Sequence, residues 1–211
     1  MSFFNPTQPI LSLKATTLDY QDLQGLLTIN IRIKDKILFS TIYTRIDQVF
    51  AIWGVVSATI FITAQFAPIS WITQAIVWSI LTAIASIAMM VLTHFWVKVE
   101  KLCWVLYSWV ILMVGGCIIT NLGIFLGIGQ ILMNLCNLWL VLCAVGYFLT
   151  GLGLRSRAFI GSGFFHLLGM VILPYFLGWE FLVTGLILVV PLLVFAQTRW
   201  DMRLSLVKYF N

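Results

Sequence analysis

The stretch that decides the fold is residues 71–101, WITQAIVWSILTAIASIAMMVLTHFWVKVEK. Its first part, from Trp71 to Trp96, contains no Asp, Glu, Lys or Arg and is long enough to cross a bilayer with some tilt. Lys98, Glu100 and Lys101 follow at once. An uncharged apolar run that ends at a pair of lysines is typical of a transmembrane helix that stops at the cytoplasmic face.

Similar apolar stretches lie before and after this one. We expect six spans, at Val49–Phe66, Trp71–Trp96, Leu102–Leu126, Ile131–Leu152, Ala158–Leu177 and Phe181–Ala196. Hydrophobic residues make up 62% of the chain and charged residues only 9%. This composition excludes an ordinary soluble domain, in which about a quarter of the residues are charged. The sequence therefore predicts an all-α, polytopic membrane protein, a six-transmembrane-helix bundle whose short connections make consecutive spans antiparallel neighbours.

The basic residues occur only in alternate connections. All 12 precede the first span, lie between the second and third or the fourth and fifth, or follow the sixth: Lys14, Arg32, Lys34, Lys36, Arg45, Lys98, Lys101, Arg155, Arg157, Arg199, Arg203 and Lys208. The positive-inside rule places these connections and both termini in the cytoplasm. Glu180 is the only charge that we expect on the outer side. This topology explains the net charge of +5, and no basic groove suggests nucleic-acid binding.

The chain divides into an N-terminal segment (1–48) that is cytoplasmic or interfacial, a transmembrane domain (49–196) and a basic cytoplasmic tail (197–211). In the first segment, Ile29, Ile31 and Ile33 alternate with polar residues as in a strand, and residues 34–36 suit a turn. The four-residue spacing of Leu38, Ile42, Ile46 and Phe50 predicts an amphipathic helix leading into the membrane. We expect either a hairpin or an interfacial helix here.

Small residues mark the expected helix contacts. Gly54 and Ala58 lie four apart in the first span, and Ala75, Ser79 and Ala83 do so in the second. This spacing lets helix backbones approach closely, either within the bundle or against another subunit. Proline should interrupt the fifth and sixth spans, at Pro174 and Pro191. The four cysteines have no metal-ligand spacing, and we interpret them as reduced, packed side chains.

Asp, Glu, Lys and Arg are missing from the interiors of the predicted spans. Proton- and ion-coupled carriers usually need such groups, so a carrier for a neutral solute is the transport class that stays open. Asn121, Asn134 and Asn137 lie toward the outer half of their spans. They predict an outward-facing solute pocket or, alternatively, hydrogen bonds between helices.

His94 and His166 are the candidate cofactor-binding residues, since a histidine inside a span can bind the metal of haem or chlorophyll. The alternatives are a hydrogen-bonded structural role for His166 and an interfacial position for His94. Ser162 and His166 lie one helical turn apart, which does not suit the nucleophile and base of an intramembrane serine protease. Because no catalytic motif occurs elsewhere, we expect a non-enzymatic protein without a resident cofactor or metal.

The segment His94-Phe95-Trp96-Val97-Lys98 resembles the His-aromatic-aromatic-Val-Lys segment of a family of integral membrane proteins from cyanobacteria and plastids. Val99 stands where that family's pattern has proline. The resemblance implies a photosynthetic membrane context and no particular activity. It makes the thylakoid membrane an alternative to the plasma (inner) membrane.

Three functions follow as expectations. The first is a subunit or assembly factor of a larger membrane complex, which would meet a protein partner, an oligomer or anionic lipid through a cytoplasmic rim of Arg45, Lys98, Lys101, Arg155 and Arg157. The second is a binding or transport component for a neutral solute, similar in size and span number to the substrate-capture subunits of energy-coupling-factor importers. The third is a haem- or chlorophyll-binding protein.

Overall fold

The computed structural model describes residues 3–5, 7–14, 27–33 and 36–202. Its helices are α1 (Arg45–Phe66), α2 (Trp71–Val99), α3 (Cys103–Phe125), α4 (Gly129–Met133), α5 (Leu135–Leu154), α6 (Arg157–Ile172) and α7 (Glu180–Gln197), with a 3₁₀ turn at Leu173–Tyr175. Its strands are β1 (Leu11–Leu13), β2 (Leu27–Ile33), β3 (Lys36–Tyr43) and β4 (Thr198–Trp200). Lys34, Arg203 and Lys208 lie outside the described residues.

Six of these helices, all except α4, are long and apolar enough to cross a membrane. They form a ring in which α1 packs against α2, α2 against α3, α3 against α5, α5 against α7, and α7 against α1. Helix α6 packs against α5 and α7 from outside this ring. The prediction of a polytopic six-helix bundle is confirmed to this extent, and five of the spans surround a common interior.

The charged connections meet at one end of the bundle, which we call the basic end. A single buried cluster there contains residues from the adjoining ends of all six spans, among them Val49, Val97, Val105, Leu154 and Phe195. The connections that carry Lys98, Lys101, Arg155 and Arg157 therefore lie together. Glu180 begins α7 at the opposite end. The alternation of basic and uncharged connections along the sequence thus places the basic connections together at one end of the bundle.

Helix α1 begins four residues before the predicted start of the first span. The hydroxyl of Thr44 accepts a hydrogen bond from the backbone of Asp47, and the Asp47 carboxylate accepts one from the backbone of Thr44 at 2.8 Å. This reciprocal capping box satisfies two backbone donors that would otherwise have no partner at the helix end. Lys14 lies 2.6 Å from the Asp47 carboxylate and neutralises it.

The fourth span is not the single helix predicted at Ile131–Leu152. It is interrupted at Asn134, between the one-turn helix α4 and the long helix α5. The Asn134 amide donates to the carbonyl of Gln130 at 3.0 Å, a local bond that competes with the regular helical pattern. Pro174 ends α6 in the 3₁₀ turn, as predicted, whereas α7 continues through Pro191.

Before the bundle, β2 and β3 form an antiparallel hairpin that pairs Leu27 with Tyr43. The hairpin alternative is confirmed and the amphipathic helix is wrong, because Leu38 and Ile42 belong to β3 while α1 begins only at Arg45. The predicted turn at residues 34–36 falls largely outside the described residues. The sequence did not predict that β1 pairs with β4, which brings both ends of the described chain to the basic end.

Candidate functional site

An elongated, partly open cavity of about 130 Å³ lies inside the ring of spans. On α1 its lining extends from Val49, near the basic end, to Ala64, near the opposite end. This part of α1 is roughly 22 Å long at about 1.5 Å per residue. An engineered apolar cavity of about 150 Å³ accommodates benzene, so this one has room for a small apolar molecule or part of a chain.

Aromatic side chains form much of the wall: Phe50, Trp53, Phe61, Trp78, Trp109, Trp139, Tyr147, Phe159 and Phe181. Two of the indoles are held in place by hydrogen bonds to threonine. Trp78 Nε1 donates to the Thr63 hydroxyl at 3.0 Å, and Trp109 Nε1 donates to the Thr150 hydroxyl at 2.8 Å. Since these N–H groups are already bonded, the two rings present mainly apolar surface to the cavity.

Glycine makes room for the Trp109 ring. A Cβ atom added at Gly146 of α5 would lie 2.5 Å from a carbon of the Trp109 indole, too close for any real side chain. The indole therefore rests directly on the α5 backbone and packs edge-on against Tyr147, with ring centroids 5.5 Å apart. Gly146 is a residue that we did not predict as part of the site, although glycine inside an apolar span is a signal of close approach.

Two polar residues of α3 face the cavity. Thr120 is 6% exposed, lines the cavity, and its hydroxyl has no hydrogen-bond partner among the described residues. Asn121 Nδ2 donates to the Ser79 hydroxyl and to the Cys117 carbonyl, each at 2.8 Å. Because that carbonyl can only accept, the orientation of the Asn121 amide is determined. The site therefore offers an unused hydroxyl beside a positioned amide.

The structure does not bring the three predicted pocket asparagines together. Asn121 lines the cavity, whereas Asn134 is exposed and bonds to Gln130. Asn137 is half-buried and outside the lining, with its side-chain oxygen unpartnered. The prediction missed Thr120. The signal that identified Asn121, a polar side chain in an otherwise apolar span, applies to Thr120 as well.

Neither of the two histidines lines the cavity, and their surroundings differ. His166 is fully buried, and its Nδ1 lies 2.7 Å from the carbonyl oxygen of Ser162, so Nδ1 donates and Nε2 holds the free lone pair. Its ring packs against Tyr147 at 4.9 Å. His94 is exposed on α2. The Ser162 hydroxyl donates to the Ala158 carbonyl, so Ser162 and His166 do not form a nucleophile–base pair.

His166 has no space beside Nε2 for a tetrapyrrole, since every atom of its side chain is covered. Within the described parts of the chain, no group of three or more His, Cys, Asp or Glu side chains is arranged to hold a metal ion. The four cysteines, all described, are free thiols. Pigment or haem binding stays a prediction to which this geometry lends no support.

The predicted packing residues differ in their surroundings. Gly54 lies against α7, where an added Cβ would be 3.2 Å from Leu193, and Ala75 is buried. Ser79 forms the α2–α3 hydrogen bond, Ala58 is half-buried and Ala83 is exposed. The first two residues thus serve packing inside the bundle, while Ser79 and Ala83 line a groove on its surface.

This groove lies between α2 and α3 and has a volume of about 580 Å³. Its walls carry exposed apolar side chains, including Ile87, Val114, Ile118 and Leu122. Five residues line both the groove and the cavity: Ser79, Thr82, Met113, Cys117 and Asn121. A wall one side chain thick therefore separates the interior of the bundle from its lipid-facing surface.

The predicted rim residues all lie at the basic end. Lys98, Lys101 and Arg155 are exposed and Arg45 is half-buried. Arg157 is committed to an internal contact, since its Nε lies 2.9 Å from the Asp201 carboxylate. Only part of the predicted rim is therefore available to a partner.

Asp201 is 2% exposed and accepts hydrogen bonds from the Ser156 hydroxyl, from the backbone and side chain of Arg157, and from the backbone of Ala158. Burial would raise the pKa of this carboxyl, but the hydrogen bonds outweigh burial and hold the pKa of Asp201 below its usual value. The carboxylate thereby caps the N-terminus of α6 from another part of the chain.

The fold defines a multi-pass membrane protein with an apolar cavity among its spans. The chain matches no protein-family model, and comparison with curated proteins and with solved structures gives no match. The resemblance carried by residues 94–98 therefore stays a prediction, and function has to be inferred from the cavity itself.

Proposed function

We propose that the protein is a non-enzymatic membrane component that binds a small neutral, apolar molecule inside its helix bundle, as a binding or transport component for that molecule. The observation that carries the proposal is the cavity, which lies between α1, α2, α3, α5 and α7 with Phe159 of α6 in its lining, and whose walls are mainly aromatic and aliphatic side chains. Ligand sites in helix bundles are concave, mostly apolar and supplied with a few positioned polar groups.

The charge of the lining supports a neutral ligand. No Asp, Glu, Lys, Arg or His lines the cavity in the described part of the chain. Burying a neutral polar group without a hydrogen-bond partner costs about 2–7 kcal/mol, and burying an unpaired ion costs more. An ion in this cavity would have no partner of opposite charge in the described lining. The Thr120 hydroxyl and the Asn121 amide suit one hydroxyl or carbonyl group on an otherwise apolar molecule.

The lining also supports binding over catalysis. Its hydroxyl and amide groups belong to Ser, Thr, Asn and Tyr, and no imidazole or carboxylate lies among them to act as a base. The buried histidine, His166, bonds through Nδ1 to the Ser162 carbonyl and does not line the cavity.

Filling the cavity tests this proposal. Ser57 of α1 is half-buried and lines the cavity, so Ser57→Phe would place a ring in the space that the ligand needs. Thr59→Phe is the matched control, because Thr59 is exposed on the same helix and does not line the cavity. Both variants would be purified in a mild detergent, extracted with organic solvent and analysed by mass spectrometry against the wild type.

We expect the wild type and Thr59→Phe to retain the same neutral molecule and Ser57→Phe to lose at least about tenfold of it, a difference of about 1.4 kcal/mol in binding. Bulk membrane lipids bound to the outer surface should be equal in all three. Equal amounts of every extracted molecule in wild type and Ser57→Phe would contradict the proposal.

We also propose that the basic end faces the cytoplasm, with both termini inside, and that the protein lies in the plasma (inner) membrane, the thylakoid membrane being the alternative. The support is the positive-inside rule, applied to the gathering of Lys98, Lys101, Arg155 and Arg157 at that end. A fluorescent-protein fusion at the C-terminus should fluoresce, since this reporter folds in the cytoplasm, and a periplasmic reporter there should stay inactive.

A second function, a subunit of a larger membrane complex, is favoured by apolar side chains outside the spans. Leu11 and Leu13 of β1 are 42% and 88% exposed at the basic end, where Lys14 follows them. Exposed leucines next to a charged rim fit a protein partner. Native electrophoresis after gentle solubilisation should show a complex that Leu13→Ser releases; migration of the wild type as a lone small protein would exclude this role.

A further inference from the structure

The groove between α2 and α3 is open to the outside of the bundle. Its rims carry Ile87 of α2 and Val114, Ile118 and Leu122 of α3, which are 46–57% exposed. These residues lie within the apolar length of both spans, so hydrocarbon chains of the bilayer surround them. In the membrane the groove is therefore in contact with lipid and not with water.

The wall between the groove and the cavity consists of five side chains from α2 and α3. Two hydrogen bonds between side chains join α2 to α3 across it: Asn121 Nδ2 donates to the Ser79 hydroxyl at 2.8 Å, and Thr82 bonds with the Cys117 thiol. The Ser79 hydroxyl in turn donates to the Ala75 carbonyl. Met113, a flexible side chain, completes the set of residues that the groove and the cavity share.

We propose that the α2–α3 groove is a lateral portal, through which a neutral lipid with a single hydrocarbon chain passes from the bilayer into the cavity. This inference rests on the proposed function, and it specifies both the class of ligand and its route. The occupant is a membrane-dissolved lipid whose polar end carries one hydroxyl or carbonyl group.

The shapes of the cavity and the groove suit a ligand with a single hydrocarbon chain. The cavity is narrow for its length, about 130 Å³ between Val49 and Ala64, and the adjoining groove adds about 580 Å³ of apolar space open to the bilayer. A single chain can lie partly in each, whereas a lipid with two chains and a charged headgroup would bring an unpaired charge to a wall that has none in the described lining.

The polar groups orient this chain. Thr120 lies near the C-terminal end of α3, in the half of the bundle opposite to the basic end, and its hydroxyl is buried, unpartnered and part of the cavity lining. The polar end of the lipid would pair with Thr120. Its chain would then extend toward the basic end, along Met113, Trp109 and Tyr147.

The test follows entry into the cavity over time. Full-length protein in liposomes would be mixed with liposomes containing hexadecanol that carries a diazirine and an alkyne, and irradiated at successive times. Labelled peptides identify where the probe lies. Labelling at Tyr147 reports the cavity, because Tyr147 is buried there and does not line the groove; labelling at Ile84, which is 59% exposed, reports the outer surface.

The blocking variant is Ala83→Trp, since Ala83 is exposed and lines the groove without lining the cavity. Ile84→Trp is its control, one position along α2 and outside the groove lining. Val114→Trp, from the opposite wall, and its control Ile111→Trp repeat the test should Ala83→Trp fold poorly; Ile111 is 70% exposed and does not line the groove.

We expect the groove variants to slow cavity labelling by about tenfold or more, equivalent to about 1.4 kcal/mol in the barrier, and to reach the same final level as the wild type. The two controls should label at the wild-type rate. If the groove variants label at the wild-type rate as well, the portal is wrong and the binding function stands. If hexadecanol labels only the outer surface of the wild type, the proposed function fails with it.

Discussion

Replacing Thr120 by valine should have two effects of opposite sign, on stability and on binding. The Thr120 hydroxyl is buried, lines the cavity and has no partner among the described residues. A buried polar group without a partner costs about 1–3 kcal/mol in a water-soluble protein. In a membrane the separated helices bury the same hydroxyl and find partners for part of it, so we expect a gain near 0.5–1 kcal/mol on its removal.

Binding should change the other way. If the ligand's polar end pairs with Thr120, valine removes one hydrogen bond, which contributes about 0.5–1.5 kcal/mol. The dissociation constant of a neutral single-chain alcohol should then rise roughly two- to twelvefold, since about 1.4 kcal/mol corresponds to a factor of ten. Thr120→Val should accordingly unfold at a higher temperature without hexadecanol and gain less stability than the wild type when hexadecanol is added.

Thr93→Val is the matched control. Thr93 is 7% exposed, as deeply buried as Thr120, but it donates to the Met89 carbonyl at 2.7 Å and does not line the cavity. Its replacement should bring no gain in stability and no change in affinity. Thermal unfolding in detergent at several hexadecanol concentrations measures both quantities. Affinity of Thr120→Val within twofold of the wild type would refute the assignment of Thr120 as the ligand's hydrogen-bond partner.

Three further predictions test the fold around the site. Gly146→Ala should destabilise the bundle by about 1–3 kcal/mol, because the new methyl group would overlap the Trp109 ring, whereas Gly115→Ala, with no atom within 4 Å of the added Cβ, should not destabilise it; thermal unfolding compares them. Asp201→Asn should cost about 1–3 kcal/mol at neutral pH by weakening the cap on α6. The pKa of Asp201 is lowered in the folded chain, so its carboxylate stabilises the wild type above about pH 3.9, and this stabilisation is lost as the pH falls further. Unfolding temperatures measured between pH 7 and 3 should show this loss in the wild type and not in the variant. A bulky maleimide that cannot cross the membrane should modify a cysteine introduced at Lys101, which is exposed, only from the cytoplasmic side, and modification from outside would reverse the proposed topology.

The spans could be predicted because bilayer thickness sets their length and charge marks their ends. The predicted bounds of the spans were wrong where local hydrogen bonds determine where a helix begins or is interrupted. The early start of α1 follows from the Thr44–Asp47 capping box, whose spacing is visible in the sequence. The interruption at Asn134 follows from a side-chain bond to Gln130, which competes with the helix and has no reliable pattern.

The cavity could be predicted only in part. In a soluble helix, polar residues mark the outer face, but lipid-facing and cavity-facing residues of a membrane helix are both apolar. Ile118 is exposed to lipid and Met113 is buried at the cavity, yet nothing in their side-chain chemistry distinguishes them. Asn121 was found because it is polar. The pairing of β1 with β4 joins residues at the two ends of the chain, and no local pattern predicts it.

The most direct test of the binding function is a density map of the wild-type protein in lipid nanodiscs, at a resolution that shows side chains. We predict an elongated density between α1, α2, α3, α5 and α7, with its polar end within hydrogen-bond distance of the Thr120 hydroxyl. A cavity closed by inward movement of Trp53 and Trp139, with no density between the five helices, would contradict the account.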